Sequence, residues 1–441
     1  MVDDRPDIIA KVAWRLLPIL LLCYFAAFLD RVNIGFAALT MNQDLGLSAS
    51  AFGFGAGIFF LGYILCELPS NLLLVRFGAR IWIARILITW GVLSGLTAFV
   101  VGPSSFYTVR LLLGAAEAGF FPGIIFYMTL WFPKAYRARM FALFNIAVPL
   151  SSVIGAPLSS LVLAGMNGMH GLAGWQWMFI LEGMPAVVMG IVVLLALPET
   201  PRTTPFLAEE ERSWLLGRLD AEHMSQEANE KISLGRALAD PRVLLMCLIA
   251  VGLVTGTTGI AIWMPQILKS FGLGTIQSGF VAAIPSAFMA LAMIVVGRHA
   301  DRTGERVWHT AGPFLVSAVG FLIAALTSSP VIGLVGLTIG AAGIGGASPN
   351  IWIFPTTLLT GTAAAAGIAL INSVGSTGGF FGPTMIGWVR DATGGFAGAL
   401  LVLAAAMAVT AGALLLLGHL MRDLLRQSPQ QAAADLAEAS A

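Results

Sequence analysis

Twelve apolar runs follow one another along this 441-residue chain, near 14–39, 51–74, 81–101, 106–131, 141–163, 175–197, 243–268, 277–297, 307–327, 331–354, 364–388 and 396–420. Each is close to the roughly 20 residues that a helix needs to cross a hydrocarbon core of about 30 Å. In lipid the backbone must satisfy its own polar groups, which leaves only helices and closed barrels as spanning structures. The ten-residue alternation of a barrel strand is missing. With 58% hydrophobic residues and a mean hydropathy of +0.87, the chain is also too apolar for a soluble domain, whose apolar share is about 45 to 50%. The expected fold is an all-α membrane protein with twelve transmembrane helices.

Lys and Arg fix the orientation, because they collect in cytoplasmic loops. Counted by alternate loops, twenty of the twenty-four lie on one side, from Arg5, Lys11 and Arg15 through Arg76, Arg80 and Arg85 to Arg422 and Arg426. The other side has Lys269 and Arg390. Both termini are expected in the cytoplasm of a cell with an inner membrane. The N-terminal stretch, with mixed charges and no small-residue cleavage site, is read as a retained first span.

One long polar segment divides the chain. The expected organisation is a six-helix bundle over 1–197, a cytoplasmic linker over 198–242, a second six-helix bundle over 243–421 and a cytoplasmic tail over 422–441. In the linker, Glu209, Glu210 and Glu211 precede Trp214, Leu215, Leu216 and Leu219, a spacing that predicts a short amphipathic helix at the membrane surface. The halves also repeat each other: Arg76, Gly78 and Arg80 recur 226 positions later as Arg302, Gly304 and Arg306. Two pseudo-symmetric halves are the plan of alternating-access transporters.

Several classes are excluded. No phosphate-binding loop, dinucleotide fingerprint or HExxH pair is present, and Cys23, Cys66 and Cys247 have no metal-ligand spacing. No metal site, cofactor or enzymatic constellation is expected, and a net charge of +1 gives no sign of nucleic acid as a partner. No obligatory protein partner is indicated. The partners expected are the lipid bilayer and a small solute moved at the expense of an ion gradient.

Six ionisable residues fall within spans, all in the first half: Asp30, Arg31, Glu67, Arg110, Glu117 and Glu182. Unpaired in lipid they would cost roughly 15 to 20 kcal/mol together, more than a typical folding stability. They must therefore pair or line a cavity. Arg110, Gly114 and Glu117 share one helix face, with the glycine letting a neighbour helix approach. A guanidinium is always charged and grips carboxylate with two parallel bonds, so Arg31 and Arg110 are suited to hold an organic acid. Asp30 and Glu117 can then couple protons, since their proton affinity depends on whether the neighbouring arginine is occupied by a substrate anion. The alternative is that Asp30 with Arg31 and Arg110 with Glu117 are structural ion pairs. Glu67 and Glu182 are read as structural or gating groups. The Gly-x-x-x-Gly pairs at 53/57, 91/95, 252/256 and 336/340 are read as helix contacts.

The run Gly297-Arg-His-Ala-Asp301-Arg302-Thr-Gly304-Glu-Arg306 resembles the GxxxDRxGxR signature of the major facilitator superfamily between spans eight and nine. The first-half copy, Arg76, Gly78 and Arg80, has Val75 where that pattern has an aspartate. Leu29-Asp-Arg-Val-Asn-Ile-Gly-Phe, Glu67-Leu-Pro-Ser-Asn, the run from Arg110 through Glu117 to Pro122, and Trp175-Gln-Trp-Met-Phe-Ile-Leu-Glu182-Gly are similar to the anion:cation symporter family within that superfamily. Ile146 to Pro157, with the loop that follows, is most similar to tartrate and related carboxylate carriers of that family. The resemblance implies the major facilitator fold, a small organic anion as substrate, and symport with protons. It also implies that Tyr63, Trp352 and Asn372 contact substrate, and that Gly297, Asp301, Arg302, Gly304, Arg306, Arg76, Gly78 and Arg80 act in gating. Aromatic acids, sugar acids such as hexuronates or aldonates, and an exporter or exchanger remain open. Val148, where some members carry an amide, favours a smaller or flatter carboxylate.

Overall fold

The computed structural model describes residues 5–227, 240–358 and 361–422. The tail from 423 onward and the linker residues 228–239, with Lys231, Arg236 and Arg426, lie outside the described residues. Among those described, eleven helical segments are long and apolar enough to cross a membrane, and the 33-residue helix Gly361–Thr393 completes twelve spans. They group into two compact units, Met1–Leu47 with Ile58–Asn229, and Ser48–Gly57 with Glu230–Ala441.

The first unit is built from α1 (Pro6–Asp44), α2 (Ala49–Phe77), α3 (Ala79–Leu96), α4 (Pro103–Glu117), α5 (Phe120–Trp131), α6 (Lys134–Asn145), α7 (Ala147–Gly165) and α8 (Gly174–Ala196). Spans four and five are each broken, as α4/α5 and α6/α7. Small residues set the packing distances. A Cβ on Gly91 of α3 would sit 2.7 Å from the Gly183 carbonyl of α8, and one on Gly183 would sit 2.8 Å from the Gly91 carbonyl. The backbones of α3 and α8 therefore touch, as the 91/95 spacing predicts.

The linker helix α9 (Glu209–Glu227) docks on this unit. Leu215 and Leu219 are buried, and Glu211 pairs with Lys11 of α1 at 2.7 Å. Glu222 accepts the Lys134 N–H at the start of α6 at 3.0 Å and pairs with Arg137 at 3.2 Å. Lys134, Arg137 and Arg139, which fall between the expected spans 106–131 and 141–163, thus lie in a helix, α6.

The second unit comprises α10 (Pro241–Ser270), α11 (Thr275–Thr303), α12 (Trp308–Leu326), α13 (Pro330–Ile351), α14 (Ile353–Leu358), α15 (Gly361–Thr393) and α16 (Phe396–Leu420). Span ten is interrupted at Trp352. The first turns of α2 also belong here: Asp391 of α15 accepts the backbone N–H groups of Ala49 at 3.1 Å and Ser50 at 2.7 Å. Carboxylate at a helix start satisfies donors that the helix leaves unpaired.

Asp240 does the same for α10. It accepts the Arg242 N–H at 2.8 Å and pairs with its guanidinium at 2.7 Å. The Arg242 side chain holds this carboxyl below the usual carboxylate range. A depressed folded value means the stabilisation is present above the unfolded value near 3.9 and is lost as pH falls through the folded value. Asp240→Ala is expected to cost about 1 kcal/mol at neutral pH. The melting temperature of the purified protein should fall, and the gap to wild type should close in acid.

Candidate functional site

Asp30 and Arg31 are neighbours in sequence and therefore point about 100° apart around α1. Asp30 turns into the helix bundle, 3% exposed. It accepts hydrogen bonds from Trp90 Nε1 at 2.7 Å, from the Ser94 hydroxyl and from the Asn33 amide at 3.0 Å. Arg31 leaves on the other face, with its side chain 29% exposed. Its Nε donates to Glu117 Oε1 at 2.8 Å, and Nη2 donates to the same oxygen. The second carboxyl oxygen of Glu117 is buried without a hydrogen-bond partner among the described residues.

Three rings surround that guanidinium: Phe28 at 5.1 Å, Phe59 at 5.8 Å and Tyr63 at 5.8 Å. Tyr24, Phe28 and Arg31 recur at i, i+4 and i+7, so α1 presents them as one stripe. Tyr24 packs edge-on against Phe28 at 4.9 Å and stacks on Phe144 at 4.2 Å. Cation–π contacts of this kind stabilise a desolvated guanidinium without neutralising it.

Arg110, Gly114 and Glu117 are all buried on α4. The Arg110 guanidinium carbon lies 5.0 Å from the Phe59 ring centre. With 4% exposure, Arg110 makes no hydrogen bond or ion pair with any described residue, and its Nε is buried without a partner. The charges that act on it are Asp30, Glu117 and Arg31. An unpaired buried cation is costly, and an anion drawn into its fork would satisfy it.

Gly114 allows this arrangement. A Cβ there would overlap the Phe59 carbonyl of α2, so α2 and α4 are in backbone contact. Gly114→Val is expected to force the helices apart at a cost of about 1 to 3 kcal/mol, read as a lowered melting temperature. Three residues further on the helix stops. Ala118 is extended (φ −55, ψ 133), and Gly119 has φ 84, in the left-handed region where side chains are strained. The freed Ala118 carbonyl accepts the Ser70 hydroxyl of α2 at 2.6 Å, and Ser70 accepts Trp82 Nε1 at 3.0 Å. Glu117 therefore ends a broken helix, the form in which membrane proteins expose polar groups to a cavity.

Of the sequence candidates, the structure brings together Asp30, Arg31, Tyr63, Arg110 and Glu117. It forms neither the Asp30–Arg31 nor the Arg110–Glu117 pair; the ion pair joins Arg31 to Glu117 across helices. Glu67 is buried one turn beyond Tyr63, and Glu182 accepts the Ser159 hydroxyl at 2.7 Å. Trp352 and Asn372 lie in the second unit, Trp352 at the α13/α14 break and 37% exposed, Asn372 on α15. That unit also holds a basic group expected in a loop. Arg390, on α15, donates to Gln266 at 3.0 Å and lies 4.6 Å from the Phe396 ring.

The repeated loop motif differs between the units. In the second, Asp301 pairs with Arg306 at 2.9 Å, Arg306 donates to Asn350 at 3.3 Å, and Gly304 caps α11 at φ 69. In the first, Glu199 supplies the acid that Val75 lacks. It lies 3.8 Å from Arg80, and a Cβ on Gly78 (φ 90) would meet its carboxylate at 2.6 Å. Gly297, Arg302 and Arg76 make no ion pair among the described residues.

Residues 20–383 match the model of the Major Facilitator Superfamily. An Agrobacterium vitis protein whose name marks it as a candidate tartrate transporter is 52% identical over 97% of this chain and 93% of its own. A quinolone resistance transporter of Acinetobacter baumannii is 39% identical over 92% of this chain and 93% of its own. In fold, the chain is similar to a bacterial homologue of the human lysosomal transporter Spinster, with a TM-score of 0.74 at 17% identity, over 94% of this chain and 97% of that one.

Proposed function

The chain belongs to the Major Facilitator Superfamily, within its organic anion transporters, and we propose that it imports a small carboxylate, tartrate or a close analogue, by proton symport through alternating access. It is a multi-pass membrane transporter of small molecules rather than an enzyme. The observation that carries the substrate class is Arg110, a buried guanidinium without a hydrogen-bond partner among the described residues, within reach of the field of a second guanidinium, Arg31. Two such forks bind a dicarboxylate by its two ends.

Coupling follows from competition. Glu117 and a substrate carboxylate need the same Arg31 fork, and only one can hold it. A proton on Glu117 removes the rival negative charge and leaves Arg31 to the substrate; release of the substrate lets the Arg31–Glu117 pair re-form and expels the proton. Asp30, held by three donors behind Arg31, is the second proton-coupling group. Tyr63, Trp352 and Asn372 offer neutral contacts to the substrate, and the repeated loop residues work the cytoplasmic gate. In this reading the membrane is the inner one with both termini in the cytoplasm, an orientation that the sequence count of twenty basic residues on one side supports.

A thermal-shift screen tests the substrate class, since a ligand at 100 times its Kd adds about 2.7 kcal/mol of stability. The panel should hold tartrate, hexuronates, aldonates, phthalate and hydroxyphenylacetates. Stabilisation by tartrate is expected. A second reading, an exporter of aromatic acids, is motivated by the quinolone resistance relative. It prevails if a quinolone, phthalate or a hydroxyphenylacetate stabilises the protein while tartrate and the sugar acids do not, and if direction-resolved flux runs outward.

A further inference from the structure

The hydrogen bonds that close the α4 break have no part in the scheme above, yet they begin one residue after Glu117. Ala118 keeps its N–H on the Gly114 carbonyl at 3.0 Å, but its extended backbone turns its own carbonyl off the helix. The residue is fully buried, and the partner of that carbonyl is the Ser70 hydroxyl of α2 at 2.6 Å. Ser70 lies in the Glu67-Leu-Pro-Ser-Asn stretch, to which neither substrate binding nor coupling gives a role. It is 5% exposed, so water does not compete for the bond. A Cβ on Gly119 would overlap its hydroxyl, which puts α2 in direct contact with the break.

A serine hydroxyl rotates, and one bond does not fix where it points. Trp82 of α3 removes that freedom. Its Nε1 donates to Ser70 Oγ at 3.0 Å, which leaves the hydroxyl proton to the Ala118 carbonyl. Trp82 is itself held from the loop that precedes α3: its backbone N–H donates to the Gly78 carbonyl at 3.1 Å, and its ring stacks on Phe77 at 5.6 Å. Two side-chain hydrogen bonds in series therefore run from the repeated loop motif of the first unit to the residue beside Glu117.

We propose that Ser70 and Trp82 are positioning residues for Glu117, fixing the break in α4 so that its carboxylate stays opposite Arg31. Glu117 is the last residue of α4, and helix ends fray where their carbonyls lack partners. The charged groups that act on it are Arg31 and Asp30 of α1 and Arg110 of its own helix; the backbone at 117 and 118 decides which of them its carboxylate meets. With the break loose, Glu117 competes less for the Arg31 fork, and a proton on it matters less to the substrate. The inference rests on the reading of Glu117 as the coupling group.

Ser70→Ala leaves the Ala118 carbonyl without a donor, Trp82→Phe keeps a ring on Phe77 but removes the indole N–H, and Ser70→Thr keeps the hydroxyl. Tartrate binding to the purified full chain is titrated calorimetrically near pH 6 and near pH 8. The wild-type Kd should rise by about tenfold or more over that interval, since deprotonated Glu117 competes at Arg31. In Ser70→Ala and Trp82→Phe the rise should shrink by about threefold or more, with Kd near pH 6 unchanged and Ser70→Thr close to wild type. Residues that only stabilised the fold would lower the melting temperature and leave the rise intact. A wild-type rise in both Ser70→Ala and Trp82→Phe would overturn the proposal.

A second measurement needs no substrate. Melting temperatures of Ser70→Ala, Glu117→Gln and the double variant form a cycle. The loss from Ser70→Ala should be smaller in the Glu117→Gln background, where the ion pair it protects is already gone. Additive losses contradict the positioning role. Should tartrate not bind, or its binding be indifferent to pH, the substrate or coupling reading fails while the cycle still decides whether Ser70 positions Glu117. Should Ser70→Ala fail to fold, Trp82→Phe takes its place in both measurements.

Discussion

Arg110→Ala is expected to weaken substrate binding by about 100-fold or more. Removing one partner of a buried, hydrogen-bonded charge pair costs about 2 to 5 kcal/mol, and Arg110 has no other described partner to absorb the loss. Arg110→Lys keeps the charge but replaces the planar fork with a point donor, so it should recover only part of the affinity. Calorimetric titration of the purified protein with the anion that stabilises it checks both variants. Wild-type affinity in Arg110→Ala would remove Arg110 from the substrate site.

Glu117→Gln is expected to separate exchange from accumulation. Glutamine keeps the volume and an acceptor for Arg31, but it neither takes nor releases a proton, and it no longer holds Arg31 as a charged rival to the substrate. Counterflow of labelled substrate should persist. Accumulation against a gradient should be lost: one coupled proton lets a one-unit pH gradient support about tenfold accumulation, and the variant should only equilibrate. A variant that still accumulates substrate would shift coupling to another group, with Asp30→Asn as the next test.

Much of the fold was legible because membrane spans are written in long apolar runs and the backbone has no other way to satisfy itself. The close contact at Gly114 was legible for the same reason: a small residue between two buried charges has few uses besides close approach. The breaks were not. Gly119 followed by Pro122 is the punctuation of one helix ending and another starting, but it sits inside a run whose hydropathy never falls. The start of α6 was hidden by the reverse effect, three basic residues that look like a loop until Glu222 is seen to cap them.

Of the site, the residue types were legible and their partners were not. Asp30 and Arg31 are adjacent, which invites pairing them, yet consecutive helical residues point apart, and the ion pair runs from Arg31 to Glu117, 86 positions away. Which side chains meet across helices depends on how each helix is rotated, and that is set by packing throughout the unit. The same holds for the rings of Phe28 and Phe59 around Arg31, and for Glu199 standing where Val75 cannot. Local spacing carries no record of either.

Proton-coupled capture of an organic anion is tested most directly in proteoliposomes given an inwardly directed proton gradient and labelled tartrate. Internal tartrate should rise above its external concentration and fall back to equilibrium when a protonophore collapses the gradient. Tartrate entry at the same rate and to the same level with and without the protonophore would contradict the account.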